Sequence, residues 1–320
     1  MQKRRNKRHA VIDIGTNSVL LLVCEVDAKR QTYHPVLDVA EVTRLGQDIH
    51  ATNKIQRSAM DHTCVAIQQF LGQGQRLGVE EFLAVGTSVL RDSTNAADFI
   101  SLVKKGFDLD VEVIPGEAEA RFSYLAVRTD PDFHTLDTDN LVLTDIGGGS
   151  TEFVFGRTEL DRYLSIKLGA VHLTDRFLKN DPPTDDEFQA LNAFLKETLS
   201  AQVPIPTNPM LKPPVLIGIG GTLVNLASVK LGLTKHDSKK IHGEILTLQE
   251  VADQIRLFCA APLSNRRQIP GLEAKRADVI IAGAAIVQSI LNHVGVEQIY
   301  VSTRGVRHGV IYDRFVETAK

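Results

Sequence analysis

The sequence predicts an α/β chain built as two similar halves, and three observations carry that reading. First, its 320 residues exceed the ~250–300 at which a single core stops growing, so two domains are expected. Second, apolar runs of strand length alternate with helical stretches from end to end. Third, a strand–Asp–glycine loop–strand unit occurs twice. Residues 11–18, VIDIGTNS, and 143–150, LTDIGGGS, share Asp-Ile-Gly and a later Ser at an offset of 132 residues. That offset is too long for a solenoid repeat and right for a duplicated domain.

Taken in order, residues 10–14 and 18–26 read as two strands joined by Gly15–Asn17, and 32–42 as a third. Asn53 is placed to cap a helix through about Leu77, with Met60, Cys64, Ile67 and Leu71 on one apolar stripe. Residues 82–85 read as a strand and 95–105 as a helix stopped by Gly106. Residues 111–114 read as a strand, Pro115-Gly116 as a turn and 117–127 as a helix. The polar, turn-rich stretch 128–140 sets the boundary, giving domains 1–126 and 127–320. In the second half, 141–146 and 152–156 flank GGGST, Arg162–Leu168 is a third strand and Ala170–Leu178 a helix. Thr184 and Glu187 form a capping box for a helix to about Ala201. Five prolines within 203–214 make a stiff connector. Val215–Ile219 reads as a buried strand running through Gly220-Gly221-Thr222 into a helix. Thr247 and Glu250 form a second capping box, Ala277–His293 an apolar helix ended by Gly295, and Gln298–Val301 a strand. The last helix, 305–320, is a candidate to pack back on the first domain.

Composition excludes several classes. Hydrophobic residues at 43% and charged residues at 23% fit a globular chain, neither disordered nor fibrous. The absence of Trp and the five Tyr argue against a base-stacking surface. Thirty-six basic against 39 acidic residues give −3, so this is no nucleic-acid coat. Without the five basic residues of MQKRRNKRH the remainder carries −8, so an anion site must focus positive charge locally. That basic run reads as a solvated tail, or as a local attractor of polyanions. It is not a signal peptide, because Asp13 and Asn17 interrupt the apolar stretch that follows. Cys24, Cys64 and Cys259 form no CxxC, and their odd number fits a reducing cytoplasm. Ala277–Leu291 is too short to span a bilayer. No histidine pair shows metal-ligand spacing.

Three glycine-rich turns follow apolar strands: Gly15–Ser18, Gly147–Thr151 and Gly218–Thr222. Without a Cβ, backbone N–H groups can converge on an anion, and the hydroxyls add neutral donors. Together they suggest a polyphosphate chain or nucleotide, although any one could be an ordinary tight turn. No GxxxxGK[ST] occurs, and Gly218–Gly221 lacks the third glycine of a dinucleotide fingerprint. Asp13, Asp145 and Glu152 place carboxylates beside these loops. Each could cap a turn, but a carboxylate beside phosphate needs a cation between them, and Mg²⁺ is the usual one. Glu117 and Glu119 open a helix, where acidic residues favour the dipole by about 0.3–1 kcal/mol. Arg91, after Thr87-Ser88, suits a phosphate oxygen pair or a structural salt bridge.

Together these stretches resemble the exopolyphosphatase/guanosine pentaphosphate phosphohydrolase family of the actin-like ATPase superfamily. The matching segments are 11–23, 84–99, 111–127, 141–156, 166–174, 219–227 and 276–311, in family order. The pairing of DIGGGSTE with GEAEAR is specific. The resemblance implies two duplicated ribonuclease H-like (actin-like ATPase) domains with a substrate cleft between them. It implies Mg²⁺-dependent removal of the terminal phosphate of inorganic polyphosphate, with a K⁺ stimulus in some members. Glu119 matches the catalytic base, and Asp145 and Glu152 match positions for the cation and for water activation, with Asp13 as the equivalent carboxylate. Gly15, Asn17, Ser18, Arg91, Gly147, Gly148, Ser150 and Thr151 match phosphate-binding positions, and Thr222 lines the polyanion path. Many relatives carry a basic residue where this chain has Leu20, which weighs against (p)ppGpp recognition. The alternatives are a pppGpp 5′-phosphohydrolase and a non-hydrolytic polyphosphate or (p)ppGpp sensor. A kinase lacks an evident acceptor-site Asp motif. The resemblance further implies a cytoplasmic homodimer, with no nucleic-acid polymer and no membrane as partner.

Overall fold

The computed structural model describes residues 7–27, 30–47, 49–134, 136, 140–156, 160–204 and 213–317. The basic run through residue 6 and most of the proline-rich connector lie outside them. The chain divides into two units, Met1–Thr129 with Val306–Lys320, and Asp130–Gly305.

In the first unit, β1 (Lys7–Ile14) and β2 (Ser18–Asp27) form an antiparallel hairpin, and β3 (Thr32–Val42) pairs with β2. After α1 (Ile49–Thr52) and α2 (Arg57–Arg76), β4 (Glu81–Gly86) lies parallel to β1. Then come α3 (Ser88–Asp92), α4 (Ala96–Phe107), β5 (Val111–Val113), parallel to β4, and α5 (Gly116–Arg128). The sheet order is β3-β2-β1-β4-β5.

Both faces of this sheet are covered, and side chains alternate between them. Ala10, Ile12, Ile14, Val19, Leu21 and Val23 join the core under α2 and α4. Val11, Leu22, Cys24 and Val26 join a second core with Phe122 of α5 and Val306, Val310 and Ile311. Strand parity therefore puts Asp13 and its cross-strand partner Leu20 on the α5 face.

The second unit repeats the plan. The β6 (Leu141–Ile146) and β7 (Thr151–Gly156) hairpin is followed by β8 (Leu160–Ile166), antiparallel to β7. Next are α6 (Ala170–Phe177), α7 (Asp185–Gln202), β9 (Val215–Ile219), α8 (Gly221–Lys230), α9 (Ser238–Ile241) and β10 (Ile245–Thr247). Then follow α10 (Leu248–Cys259), α11 (Leu263–Arg266), α12 (Ile280–Val294) and β11 (Gln298–Val301). The order is β10-β11-β9-β6-β7-β8. Without the edge strand β10, both sheets read third–second–first–fourth–fifth, with only the second strand antiparallel to its neighbours. Both capping boxes form as the sequence indicates, Thr184 with Glu187 and Thr247 with Glu250.

Several boundaries differ from the sequence reading. Asn53 does not cap α2. It adopts φ +51°, its carbonyl accepts from Thr94 N at 2.9 Å, and Gln56 takes the cap position. The helix read from residue 95 begins at Ala96, and the Asn95 side-chain amide bonds Ile55 N and Ile55 O, at 2.8 and 3.0 Å. Gly106 does not stop that helix, which runs to Phe107. Asp108 ends it in the left-handed region at φ +52°. The third strand of the second unit ends at Ile166, not Leu168, which turns into the core. The apolar helix begins at Ile280 rather than Ala277, whose carbonyl accepts from Arg266 Nε.

After β11, α13 (Val306–Ile311) and a π-helical segment (Tyr312–Glu317) belong to the first unit. Buried charge holds them there. Arg307 donates through Nε and Nη2 to the two Asp38 oxygens at 2.8 and 2.9 Å. His308 Nε2 lies 3.1 Å from Asp38 Oδ2, and its Nδ1 3.1 Å from the Tyr33 hydroxyl. Burial alone would raise the Asp38 carboxyl. The Arg307 charge and the His308 hydrogen bond reverse that and hold it well below the usual carboxylate range. A depressed folded-state pKa stabilises the fold above the unfolded-state value and loses that contribution as pH falls. Asp38→Asn is expected to cost about 3 kcal/mol at pH 7, because it leaves a buried guanidinium short of its charge partner. The deficit is expected to shrink below about pH 4. Urea unfolding of both proteins at pH 7 and pH 3 checks this. A deficit unchanged at pH 3 contradicts it.

Candidate active site

The two hairpin loops are built alike. Gly15 N donates to Ser18 O at 2.9 Å, and Gly147 N to Ser150 O at 3.0 Å. Each contact closes a turn at the end of the unit's first strand. In the first loop, Asn17 O accepts from Thr43 N and Arg44 N, and Thr16 O from Gly46 N. The carbonyls are thereby turned back into the protein. Among the described residues, the amides of Thr16 and Asn17 donate to no protein group. Asn17 is buried, and its Nδ2 likewise has no partner. Buried donors left open in this way are costly unless a ligand accepts from them.

The second loop shows the same division. Gly147 O accepts from Ala170 N, and Gly148 O from Val171 N and His172 N. The loop carbonyls thus satisfy the first amides of α6. That contact needs a glycine before the helix, because a Cβ on Gly169 would sit 2.2 Å from Gly148 O. The amides of Gly148, Gly149 and Ser150 donate to no protein group among the described residues. Successive open amides of this kind form an anion nest.

Asp145 and Glu152 face each other directly across β6 and β7. Glu152 is buried, and its Oε1 accepts from the hydroxyls of Ser150 and Ser165, both at 2.8 Å. Asp145 Oδ1 overlooks the β9–α8 turn, 3.2 Å from where a Gly220 Cβ would lie. Gly220 has φ +103°, and a Cβ there would also strike Ile146 O at 2.5 Å. The equivalent pair in the first unit is Asp13 and Leu20, so only the second hairpin offers two facing carboxylates. Arg307 also feels the Asp13 charge.

Glu119 lies buried in the first turn of α5. Arg91, at the end of α3, donates through Nη1 to Glu119 Oε2 at 2.5 Å and to Ile114 O at 2.9 Å. Thus the expected base and an expected phosphate ligand are in contact. The α3 segment was absent from the sequence reading. It is tied to the first loop by Thr87 N to Ile14 O at 3.2 Å and by Thr16 Oγ1 to Ser88 Oγ at 2.9 Å.

Ser18 is buried at the start of β2. The Thr151 hydroxyl donates to Leu168 O, so it fixes the loop rather than facing outward. Thr222 is buried against α12, where a Gly283 Cβ would meet its side chain.

A further group gave no sequence signal. His242 Nε2 lies 3.0 Å from buried Asp130 and 3.4 Å from Asp132. Its Nδ1 accepts from Thr303 N at 3.2 Å, which leaves the ring proton on Nε2, facing Asp130. Arg304 Nε lies 3.1 Å from the same Asp130 oxygen. Burial pushes the Asp130 carboxyl up, while His242 and Arg304 pull it below the usual range. Arg304 and Asp130 form the group's ion pair, and the donor atoms of Asp130, Asp132 and His242 lie within 4.8 Å of one another.

Two sheets of the same mixed order, each with an Asp one residue before the end of its first strand and an amide-lined loop after it, define an actin-like fold arranged to hold phosphate. Residues 22–317 match the Ppx/GppA phosphatase family, and the chain belongs to that family. It is 31% identical to a bifunctional 3-dehydroquinate synthase/phosphatase of Fusobacterium nucleatum over 97% of this chain, and it spans 47% of that protein. It is 28% identical to exopolyphosphatase 2 of Mycobacterium tuberculosis, covering 95% of this chain and 97% of that one. The crystal structure of the Aquifex aeolicus Ppx/GppA family member superposes with a TM-score of 0.79 at 31% identity, covering 98% of both chains. Among the described residues, no helix is long and apolar enough to cross a membrane.

Proposed function

We propose that the chain hydrolyses the terminal phosphoryl group of inorganic polyphosphate and releases orthophosphate. The observation that carries this reading is the set of open loop amides, on Thr16 and Asn17 and on Gly148, Gly149 and Ser150, with the buried Asn17 amide beside them. All are donors, which suits phosphate oxygens rather than a cation. In this reading Glu119 takes the proton of the attacking water, the Gly15–Ser18 and Gly147–Thr151 loops and Arg91 bind phosphate oxygens, and the Asp145–Glu152 pair serves the cation.

That pair suits Mg²⁺, because its donors are all oxygen and the Glu152 partners named above are neutral hydroxyls. Asp145 and Glu152 would hold the ion, with Asp13 as the lesser candidate. The ion would neutralise charge on the phosphoryl oxygens. A K⁺ stimulus, a homodimer and a cytoplasmic location belong to the same reading.

The first test is phosphate release from long-chain polyphosphate and from pppGpp, side by side, with and without Mg²⁺. Mg²⁺-dependent release from polyphosphate supports the proposal. Release from pppGpp alone makes it a nucleotide phosphohydrolase, the outcome against which apolar Leu20 weighs. Tight binding without turnover leaves a sensor.

Gly169→Ala is expected to push the Gly147–Ser150 loop off its place on α6. The overlap with Gly148 is with backbone, which cannot rotate away. Activity should fall at least about tenfold and stability by about 1–3 kcal/mol. Steady-state rates and thermal melts check this, and unchanged KM and kcat contradict it.

A further inference from the structure

We infer that Arg91 is a positioning residue for Glu119: one guanidinium nitrogen, Nη1, ties the base to the Ile114 carbonyl and so fixes the carboxylate relative to the phosphate loop. The inference rests on the phosphohydrolase reading and deepens it. Arg91 Nη1 makes two contacts, to Glu119 Oε2 at 2.5 Å and to Ile114 O at 2.9 Å. Among the described residues, Nε and Nη2 have no protein acceptor. The Arg91 side chain keeps 20% of its exposure, while that of Glu119 keeps 9%. The open edge of the fork therefore belongs to the group that solvent reaches.

The anchoring is indexed to the phosphate loop. α3 carries Arg91, and its first turn is bound to the β1–β2 loop through Thr87, Ser88 and Thr16. α5 carries Glu119, and Ile114 lies just before its start. Arg91 bridges the two, so one planar, rigid group sets the distance from base to phosphoryl. In the reaction, an O–P bond forms from water as the bridging P–O bond breaks. The water proton goes to the Glu119 carboxylate, and the shortened chain departs with the electron pair. A lysine could supply the charge, but its flexible ammonium lacks the planar fork that fixes the carboxylate against the Ile114 carbonyl.

The test is a double-mutant cycle on the full chain with polyphosphate and Mg²⁺, using wild type, Arg91→Lys, Glu119→Gln and the double variant. Arg91→Lys is expected to lower kcat about 100-fold while KM moves about threefold or less. Glu119→Gln is expected to lower kcat about 1,000-fold. The double variant is expected to fall within about threefold of Glu119→Gln alone, because Arg91 acts through Glu119. Losses that multiply to about 10⁵-fold overturn the inference, as does an Arg91→Lys effect confined to KM. Thermal melts and polyphosphate binding on all four proteins separate misfolding from catalysis. Free guanidinium restoring turnover to Arg91→Ala gives an independent positive reading if the lysine variant folds poorly, and its failure to restore a folded Arg91→Ala counts against the inference. A folded wild type that releases no phosphate sinks the phosphohydrolase reading itself, a failure visible before any variant is compared, and takes this inference with it.

Discussion

Glu119→Gln is expected to lower kcat for polyphosphate about 1,000-fold while leaving polyphosphate binding close to wild type, with a lower melting temperature because Arg91 loses its charge partner. The substitution is nearly isosteric, and the amide oxygen can still accept from Arg91 Nη1. What it loses is the charge and the capacity to take a proton. The control is Glu117→Gln. Both glutamates lie in the first turn of α5, so a pure dipole role predicts similar small effects for both, about 0.3–1 kcal/mol in stability. Glu119 is buried and held by a guanidinium, whereas Glu117 is exposed. Loss of turnover in Glu119→Gln with normal turnover in Glu117→Gln separates base from cap. Equal, small effects in both would falsify the base assignment.

The duplication was legible because it rests on short-range chemistry. An Asp, a glycine turn and a returning strand must lie together in sequence, so VIDIGTNS and LTDIGGGS announce themselves. Capping boxes were legible for the same reason, since Thr184 and Glu187 satisfy each other across one turn. The misread boundaries involve distant partners. The helix read from residue 95 begins at Ala96, because the Asn95 side-chain amide bonds Ile55, 40 residues away, through both a donor and an acceptor. Gly106 has the composition of a stop. The helix nevertheless passes through it, and Asp108 takes the left-handed position while Lys104 bonds Asp110 at 2.9 Å.

The site divides along the same line. The glycine loops and their carboxylates were readable, and so was Glu119 once the GEAEAR segment was set beside DIGGGSTE. The contact between Arg91 and Glu119 was not readable, because it depends on a five-residue helix too short for periodicity to reveal. Nor were the buried clusters around Asp38 and Asp130. Asp38 and Arg307 stand 269 positions apart, and each alone is an ordinary surface-type residue. The shared strand order did more than confirm the repeat. It put Leu20 and Glu152 at equivalent cross-strand positions, which shows that the two hairpins are alike in backbone and unlike in charge.

That asymmetry yields the second large expectation. If a divalent cation is held where two carboxylates face each other, it belongs to the second hairpin, and the three acidic residues should not respond equally. Glu152→Gln and Asp145→Asn are each expected to lower kcat about 1,000-fold at fixed Mg²⁺, the scale of several kcal/mol of lost charge stabilisation. Each should also raise the Mg²⁺ concentration for half-maximal activity. Asp13→Asn should shift that concentration less, because Asp13 has apolar Leu20 opposite it and the Arg307 charge to offset it. Mn²⁺ titration followed by electron paramagnetic resonance reads the same site without turnover, and it should show weakened binding for Asp145→Asn and Glu152→Gln. Wild-type Mn²⁺ affinity in both variants would remove the second hairpin as the cation seat. Weakened binding in Asp13→Asn alone would move the seat to the first hairpin, where a single carboxylate would have to share the ion with substrate and water.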